Sequence, residues 1–166
     1  CLANRRPAAE VGIPRRHRWR VCVIGALGPE KGLDILHAMA QDAEARSLPL
    51  EFVIVGYTSD DEKLMKTGHV FMTGPYSEGE VEDIVRVQKA DMAFLPSVWP
   101  ETWSFTLGAA WRSGLNVAAF DMGAPAERIR TTGRGYLFPP GLPAGELNLI
   151  LQRLCVGSCG PDSRTA

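Results

Sequence analysis

Two loops hold the residues whose types and spacing could do chemistry. The first reads Gly25-Ala26-Leu27-Gly28-Pro29-Glu30-Lys31-Gly32 and follows the apolar run Val21-Cys22-Val23-Ile24. The second reads Pro100-Glu101-Thr102-Trp103-Ser104-Phe105-Thr106-Leu107 and follows Ala93-Phe94-Leu95. The first sets Glu30 and Lys31, and the second Glu101, between an apolar strand-like run and the start of a helix. Open parallel sheets bind ligands there, at the carboxyl ends of strands and against helix N-termini. Lys31 falls at a predicted helix start, where the macrodipole disfavours a cation. An anion shared between its ammonium and the free backbone N–H groups would make sense of it. A solvated lysine paired with Glu30 or Asp34 is the competing reading. The loop matches neither G-x-G-x-x-G nor a Walker A sequence. Glu101 is suited to accept hydrogen bonds from hydroxyl groups such as those of a sugar, and the amides of Phe105, Thr106 and Leu107 suit a phosphate. A solvated loop acid is the competing reading. Pro100, Trp99 and Trp103 weigh against it, because they outline a pocket wall. The side chains of Phe105 and Trp111 read as core.

The elements that must position these loops alternate between strand and helix. Apolar runs predict strands over residues 20–25, 51–56, 69–72, 92–95, 116–120 and 135–138. Helical spacing predicts helices over 31–46, 77–89, 104–113, 124–132 and 142–154, with a short one over 60–66. Caps are expected from Ser59, from the Ser77/Glu80 capping box, from Ser104 and from Asp121, with Gly114 as a stop. The strands are continuous apolar runs, not alternating ones. They are therefore buried on both faces, which implies an α/β, doubly wound, Rossmann-like parallel sheet of about six strands flanked by helices. Gly56-Tyr57-Thr58 and Gly74-Pro75-Tyr76 also follow strands. Either tyrosine could flank a base or simply cover a sheet edge.

Composition bounds the rest. With 166 residues, 45% hydrophobic and 22% charged, the chain has room for one full core. A net charge of −1 argues against nucleic-acid binding. Residues 1–20 carry six arginines against Glu10, a local +5 that leaves −6 elsewhere. That arm is either a solvated linker or a contact for a membrane surface, which makes peripheral membrane contact a partner to consider. No apolar run approaches the roughly 18 residues of a membrane span. The chain opens at Cys1 without Met or a signal-peptide pattern and reads as a piece of a longer protein. Cys22 reads as a small core residue. Cys155 and Cys159 lack the companions a zinc site requires, so no metal is expected, and the cysteine usage fits a reducing compartment. The expected organisation is a basic arm over 1–19, one folded domain over 20–156 and a flexible tail over 157–166. His17, His37 and His69 show no shared spacing.

Over roughly residues 20–155 the chain resembles the C-terminal, donor-binding domain of GT-B fold glycosyltransferases of the retaining family 4 (Glycos_transf_1) type. The family pattern Gly-Arg-Leu-x-x-x-Lys-Gly-x-Asp stands here as Gly25-Ala26-Leu27-Gly28-Pro29-Glu30-Lys31-Gly32-Leu33-Asp34. Its Pro-Ser-x-x-Pro-Glu-x-Phe-Gly stands as Pro96-Ser97-Val98-Trp99-Pro100-Glu101-Thr102-Trp103-Ser104. Asp91 to Pro96 is similar to its Ala-Asp-x-x-x-x-Pro strand, and Gly114-Leu115-Asn116-Val117 to its Gly-x-Pro-Val step.

The resemblance implies a nucleotide-diphosphate sugar as donor substrate and no other cofactor. Lys31 would neutralise the diphosphate, and Glu101 would hold hydroxyls of the transferred sugar. Gly25, Gly28, Tyr76, Thr102, Trp103, Ser104, Phe105, Thr106 and Leu107 would complete the donor site. It also implies an N-terminal domain carrying the acceptor site, without which the chain binds donor but does not turn over. The implied setting is bacterial surface-polysaccharide synthesis, in the cytoplasm or at the inner face of its membrane. Two departures from the pattern matter. The family's phosphate-binding Arg is Ala26, and its second Glu, eight residues after the first and typically on the ribose, is Ala109. These departures support an alternative, a degenerate nucleotide-binding module without catalysis. A sugar epimerase of GT-B architecture is a further alternative. A receiver-like signalling domain would need an acidic cluster after the first strand, which Gly25 to Gly28 does not supply.

Overall fold

The computed structural model describes residues 18–102 and 104–158. Six strands, β1 (Trp19–Leu27), β2 (Leu50–Thr58), β3 (Val70–Met72), β4 (Met92–Leu95), β5 (Val117–Phe120) and β6 (Gly135–Phe138), form one sheet in the order β3-β2-β1-β4-β5-β6. Every neighbouring pair is parallel. The helices are α1 (Leu33–Ala45), α2 (Asp61–Met65), α3 (Val81–Gln88), α4 (Phe105–Arg112), α5 (Gly123–Thr132) and α6 (Ala144–Ser158). The fold is the expected doubly wound α/β arrangement.

Burial on both faces explains the apolar runs. Val21 and Val23 point into a core shared with Leu36 and Met39 of α1, Leu64 of α2 and Leu147 of α6. Between them Cys22 points the other way, toward Val81 and Val85 of α3 and Ala109 of α4. Ala93, Val117 and Ala119 meet Leu107, Trp111 and Ile129 on that second face. Under β4, β5 and β6, the rings of Phe94, Phe120 and Phe138 form a trio with centroids 5.8–6.0 Å apart, Phe120 edge-on to the other two and Phe94 tilted against Phe138.

Several boundaries move for local reasons. The first helix does not begin at residue 31. A 3-10 turn spans Pro29–Lys31, Gly32 takes a left-handed conformation, and α1 starts after it. The third helix is likewise preceded by a 3-10 turn over Glu78–Glu80, and the Ser77 N–H donates to Glu80 Oε2 at 3.2 Å, as a capping box requires. The cap of α2 is Asp60, which accepts from Lys63 N–H, not Ser59. Asp121 does not cap α5; Met122 holds that position and Asp121 pairs with Arg130 instead. The last helix starts at Ala144 and continues past Leu154 to Ser158. Residues 1–17, Trp103 and 159–166, including most of the sequence-predicted arm and most of the tail, lie outside the described residues, whereas Trp19, the last residue assigned to the arm, opens β1.

Arg20 adds to the local charge of the basic segment, but it lies in the first strand, as predicted, and belongs to the fold. It is 1% exposed and its Nε donates to the fully buried Glu51 at 2.7 Å. Its Nη1 donates to the Gln88 carbonyl at 2.9 Å, and its backbone N–H to Asp91 Oδ2 at 2.8 Å. Arg20 and Glu51 are cross-strand partners at the amino ends of β1 and β2. Removing one member of a buried pair strands the other charge, at a cost of about 3–5 kcal/mol. Glu51→Ala should therefore lower unfolding free energy in urea by about that much, and an apolar replacement of both residues should recover most of it. Burial pushes the Cys22 thiol up to about 12, against the opposing pull of Arg20. The folded value lies above the unfolded one, so the stabilisation is complete below about pH 8.5 and is lost as pH rises from there toward the folded value. Cys22 should accordingly resist iodoacetamide at pH 9 in the native chain and react once urea unfolds it, as read by peptide mass spectrometry.

Candidate functional site

Strand order decides where a site can form. Strand β1 lies between β2 and β4, and its crossover through α1 leads one way, to β2. The crossover of β4 through α4 leads the other way, to β5. Between their carboxyl ends neither connection covers the sheet, and a crevice opens at this topological switch point. It is lined by Ile24, Gly25, Ala26 and Leu27 from β1, Phe94 and Leu95 from β4, and Lys31, Pro96, Ser97, Glu101 and Thr106 from the loops and helix that follow. Its enclosed volume is about 100 Å³. Binding pockets for whole ligands are commonly about 300–1,000 Å³, so this crevice encloses only part of one.

The two sequence-predicted ionisable residues meet inside it. Lys31 Nζ lies 2.5 Å from Glu101 Oε1, although 70 residues separate them. The lysine side chain is 52% exposed and the glutamate 15%. Neither expected lysine partner, Glu30 nor Asp34, is the one found. Lys31 is also not in the first turn of α1; it ends the 3-10 turn, with its N–H donating to the Gly28 carbonyl at 3.0 Å. Gly32 has φ 86°, and a Cβ there would lie 2.0 Å from the Pro96 carbonyl oxygen. Glycine is therefore required for the Lys31 loop to rest on the end of β4. The Val98 N–H donates to the Glu30 carbonyl at 3.2 Å and joins the two loops.

The Glu101 loop is held from the other side by α5. Ala124 N–H donates to the Glu101 carbonyl at 2.8 Å, and Arg128 Nη1 donates to the Ser104 carbonyl at 3.0 Å. Gly123 has φ 66°, and a Cβ there would stand 2.8 Å from Glu101 N and 2.9 Å from Glu101 O. Sequence reasoning passed over this clamp. The only signal was Gly123 itself, read as opening a helix, and nothing local says which loop it would touch.

The remaining candidates divide. Gly25 and Thr106 line the crevice, whereas Gly28 closes the 3-10 turn behind Lys31. Ser104 is 1% exposed and caps α4 by accepting the Leu107 N–H at 3.3 Å. Leu107 is fully buried, so its amide serves the cap and not a phosphate. Of the three amides expected to face a ligand, those of Phe105 and Thr106 remain. The Phe105 ring is not core; it is 45% exposed, with the Arg112 guanidinium 5.9 Å from its centre. Trp111 is core, as expected, with Arg128 and Arg134 over its ring at 5.2 and 5.1 Å. Thr102 is exposed on the loop, and Trp103 lies outside the described residues. Trp99 is 63% exposed and does not line the crevice, so it is not the pocket wall expected of it. Tyr76 packs against the Cys22 cluster, where burial, with Cys22 and Glu78 adding to it, pushes its phenol up. It too stands outside the crevice lining, and Tyr57 is exposed at the end of β2.

The two departures from the family pattern have different surroundings. Ala26 is exposed and lines the crevice. Ala109 is fully buried with Cys22, Val55 and Val81, in an apolar setting that offers nothing to a ligand. Among the described residues no group of three or more His, Cys, Asp or Glu is placed to hold a metal. Nor is any helix among them long and apolar enough to cross a membrane.

The family model for Glycosyl transferases group 1 matches residues 9–155. No curated protein matches the chain. Among solved structures, the apo form of the lipopolysaccharide outer core galactosyltransferase WaaB is 20% identical, with a TM-score of 0.65 over 90% of this chain and 43% of that one. Anabaena Alr3699/HepE in complex with UDP-glucose is 19% identical, with a TM-score of 0.65 over 90% and 43%. The C-terminal domain of a glycosyl transferase group 1 family protein (LpcC) from Francisella tularensis is 17% identical, with a TM-score of 0.63 over 93% and 83%. These likenesses are of fold. The chain spans less than half the length of the first two.

The α5 clamp can be tested without a ligand. Gly123→Ala adds a Cβ against the Glu101 backbone in a left-handed conformation, and should cost on the order of 1–3 kcal/mol in urea unfolding. Exposed Gly79→Ala, with open space around it, should change stability far less.

Proposed function

We propose, for a chain that belongs to the Glycosyl transferases group 1 family, that the switch-point crevice binds a nucleotide-diphosphate sugar as the donor half of a retaining glycosyltransferase. The observation that carries this reading is the meeting of Lys31 and Glu101 at the carboxyl ends of β1 and β4. A cation for phosphate and an enclosed carboxylate for hydroxyl groups stand side by side, as a sugar joined to a diphosphate requires. Gly25 keeps the floor low, and the start of α4 directs the Phe105 and Thr106 amides toward the anion. Transfer breaks the bond between the anomeric carbon and the diphosphate oxygen and forms one to an acceptor hydroxyl, whose proton is released. The negative charge that develops on the departing diphosphate falls to Lys31 and the helix dipole, so the reaction runs without a metal ion.

A crevice of about 100 Å³ cannot enclose such a donor alone. The rest of the cleft and the acceptor site belong to an N-terminal domain, and this chain by itself binds without turning over. Synthesis of a bacterial surface polysaccharide, at the cytoplasmic face of the membrane, is the setting we favour. One structural neighbour is a lipopolysaccharide galactosyltransferase and another is complexed with UDP-glucose, which is compatible with that reading.

A non-catalytic nucleotide-binding module is the second reading, favoured by Ala26 in the crevice wall and by the burial of Ala109. Calorimetric titration with UDP-, GDP-, ADP- and dTDP-glucose separates the possibilities. Binding of one of them is expected, and Lys31→Ala should weaken it about tenfold or more, the loss of a charge-assisted hydrogen bond. No binding by any of the four would overturn both readings. Binding that never leads to transfer, even with an N-terminal domain joined, would favour the second.

A further inference from the structure

We infer that the Lys31–Glu101 ion pair makes the crevice discriminate between a nucleoside diphosphate that still carries its sugar and one that has lost it; this rests on the donor site proposed above. Lys31 is the only cation and Glu101 the only carboxylate among the described lining residues. Ala26, beside them, supplies no second charge. Their contact is 2.5 Å, and neither side chain has another hydrogen-bond partner among the described residues. The pair thus neutralises itself, and any anion entering the crevice must compete with Glu101 for Lys31.

The two partners are unequal in freedom. Lys31 is half exposed and can swing to a phosphate, whereas Glu101 is 15% exposed and its loop is tied down by Ala124 and Gly123. When Lys31 leaves, the carboxylate stays where it is. A sugar-bearing donor brings hydroxyl donors that satisfy it, so both halves of the pair are replaced together. A bare diphosphate brings none. It leaves an enclosed carboxylate unpaired beside a phosphate, an arrangement disfavoured both by desolvation and by like charge. Reclosure of the pair then helps to expel the spent nucleotide. Glu101 acts here as a specificity-determining residue through its hold on Lys31, in addition to touching the sugar.

The test measures Kd by calorimetry for matched pairs, UDP-glucose against UDP and likewise for the GDP, ADP and dTDP series, with this chain and its variants. Glu101→Gln keeps the shape and the hydrogen-bonding capacity but releases Lys31. It should tighten the bare diphosphate roughly three- to fivefold, the range of a partly exposed ion pair, while leaving the sugar-bearing form unchanged or weaker. Glu30→Gln removes a neighbouring charge outside the pair and should leave the ratio of the two affinities as in the parent. In a Lys31→Gln background the effect of Glu101→Gln should shrink to the part that comes from like charge between the carboxylate and the phosphate. Circular dichroism and the urea midpoint establish that each variant is folded, and Lys31→Gln alone gives the reciprocal measurement should Glu101→Gln fail to fold. Equal shifts for both ligands, an equal effect of Glu30→Gln, or an effect undiminished without Lys31 would overturn the inference and leave the donor site standing. Failure of every nucleotide-sugar to bind the parent chain would overturn both.

Discussion

Two adjacent parallel strands whose crossovers depart in opposite directions leave bare sheet between their carboxyl ends. In this chain the strands are β1 and β4, and every functional feature depends on that gap. The following loops, otherwise unrelated in sequence, are brought face to face across it. The Lys31–Glu101 contact is a consequence of strand order before it is a consequence of charge. Had β4 been placed at the edge of the sheet, the same residues would have ended far apart.

The gap would not hold a defined geometry without its backbone supports. Gly32 lets the first loop settle on Pro96, and Gly123 lets the start of α5 settle on Glu101. Both are places where a Cβ would overlap main-chain atoms, which cannot move aside as the end of a flexible side chain can. Hydrogen bonds from Val98 to Glu30 and from Ala124 to Glu101 then link the connections after β1, β4 and β5, neighbours in the sheet, into one rim. Of the ion pair, the lysine side chain keeps the greater freedom. A fixed carboxylate beside a mobile cation is suited to an exchange of partners when a ligand arrives.

The opposite end of the sheet follows different rules. There Arg20 and Glu51 are buried, cross-strand and surrounded by further acceptors, and their function is to hold β1, β2 and α3 in register. Two ion pairs of similar composition thus differ in use because they differ in solvent access. The buried one resists separation, since each partner would be left in low dielectric. The crevice pair is open enough to be broken by a competitor.

Much of the fold was legible in the sequence. Strands β4 and β6 fall where the apolar runs placed them, and α4 begins after Ser104, because periodicity and capping are properties of a few neighbouring residues. Glu101, Lys31, Gly25 and Thr106 were likewise legible as crevice residues, since each lies within one strand-to-helix connection. Other assignments failed where a distant partner decided the outcome. Tyr76 went to a core cluster, and Lys31 found Glu101, neither Glu30 nor Asp34. By itself, the sequence determined the elements, their two-faced burial and the residue types offered to a ligand. Only the tertiary structure decided that Lys31 pairs with Glu101, that Gly123 holds the glutamate in place, and that Ala109 faces the core. The reason is physical: local signals act over a turn or two of chain, whereas these contacts depend on which strands lie side by side.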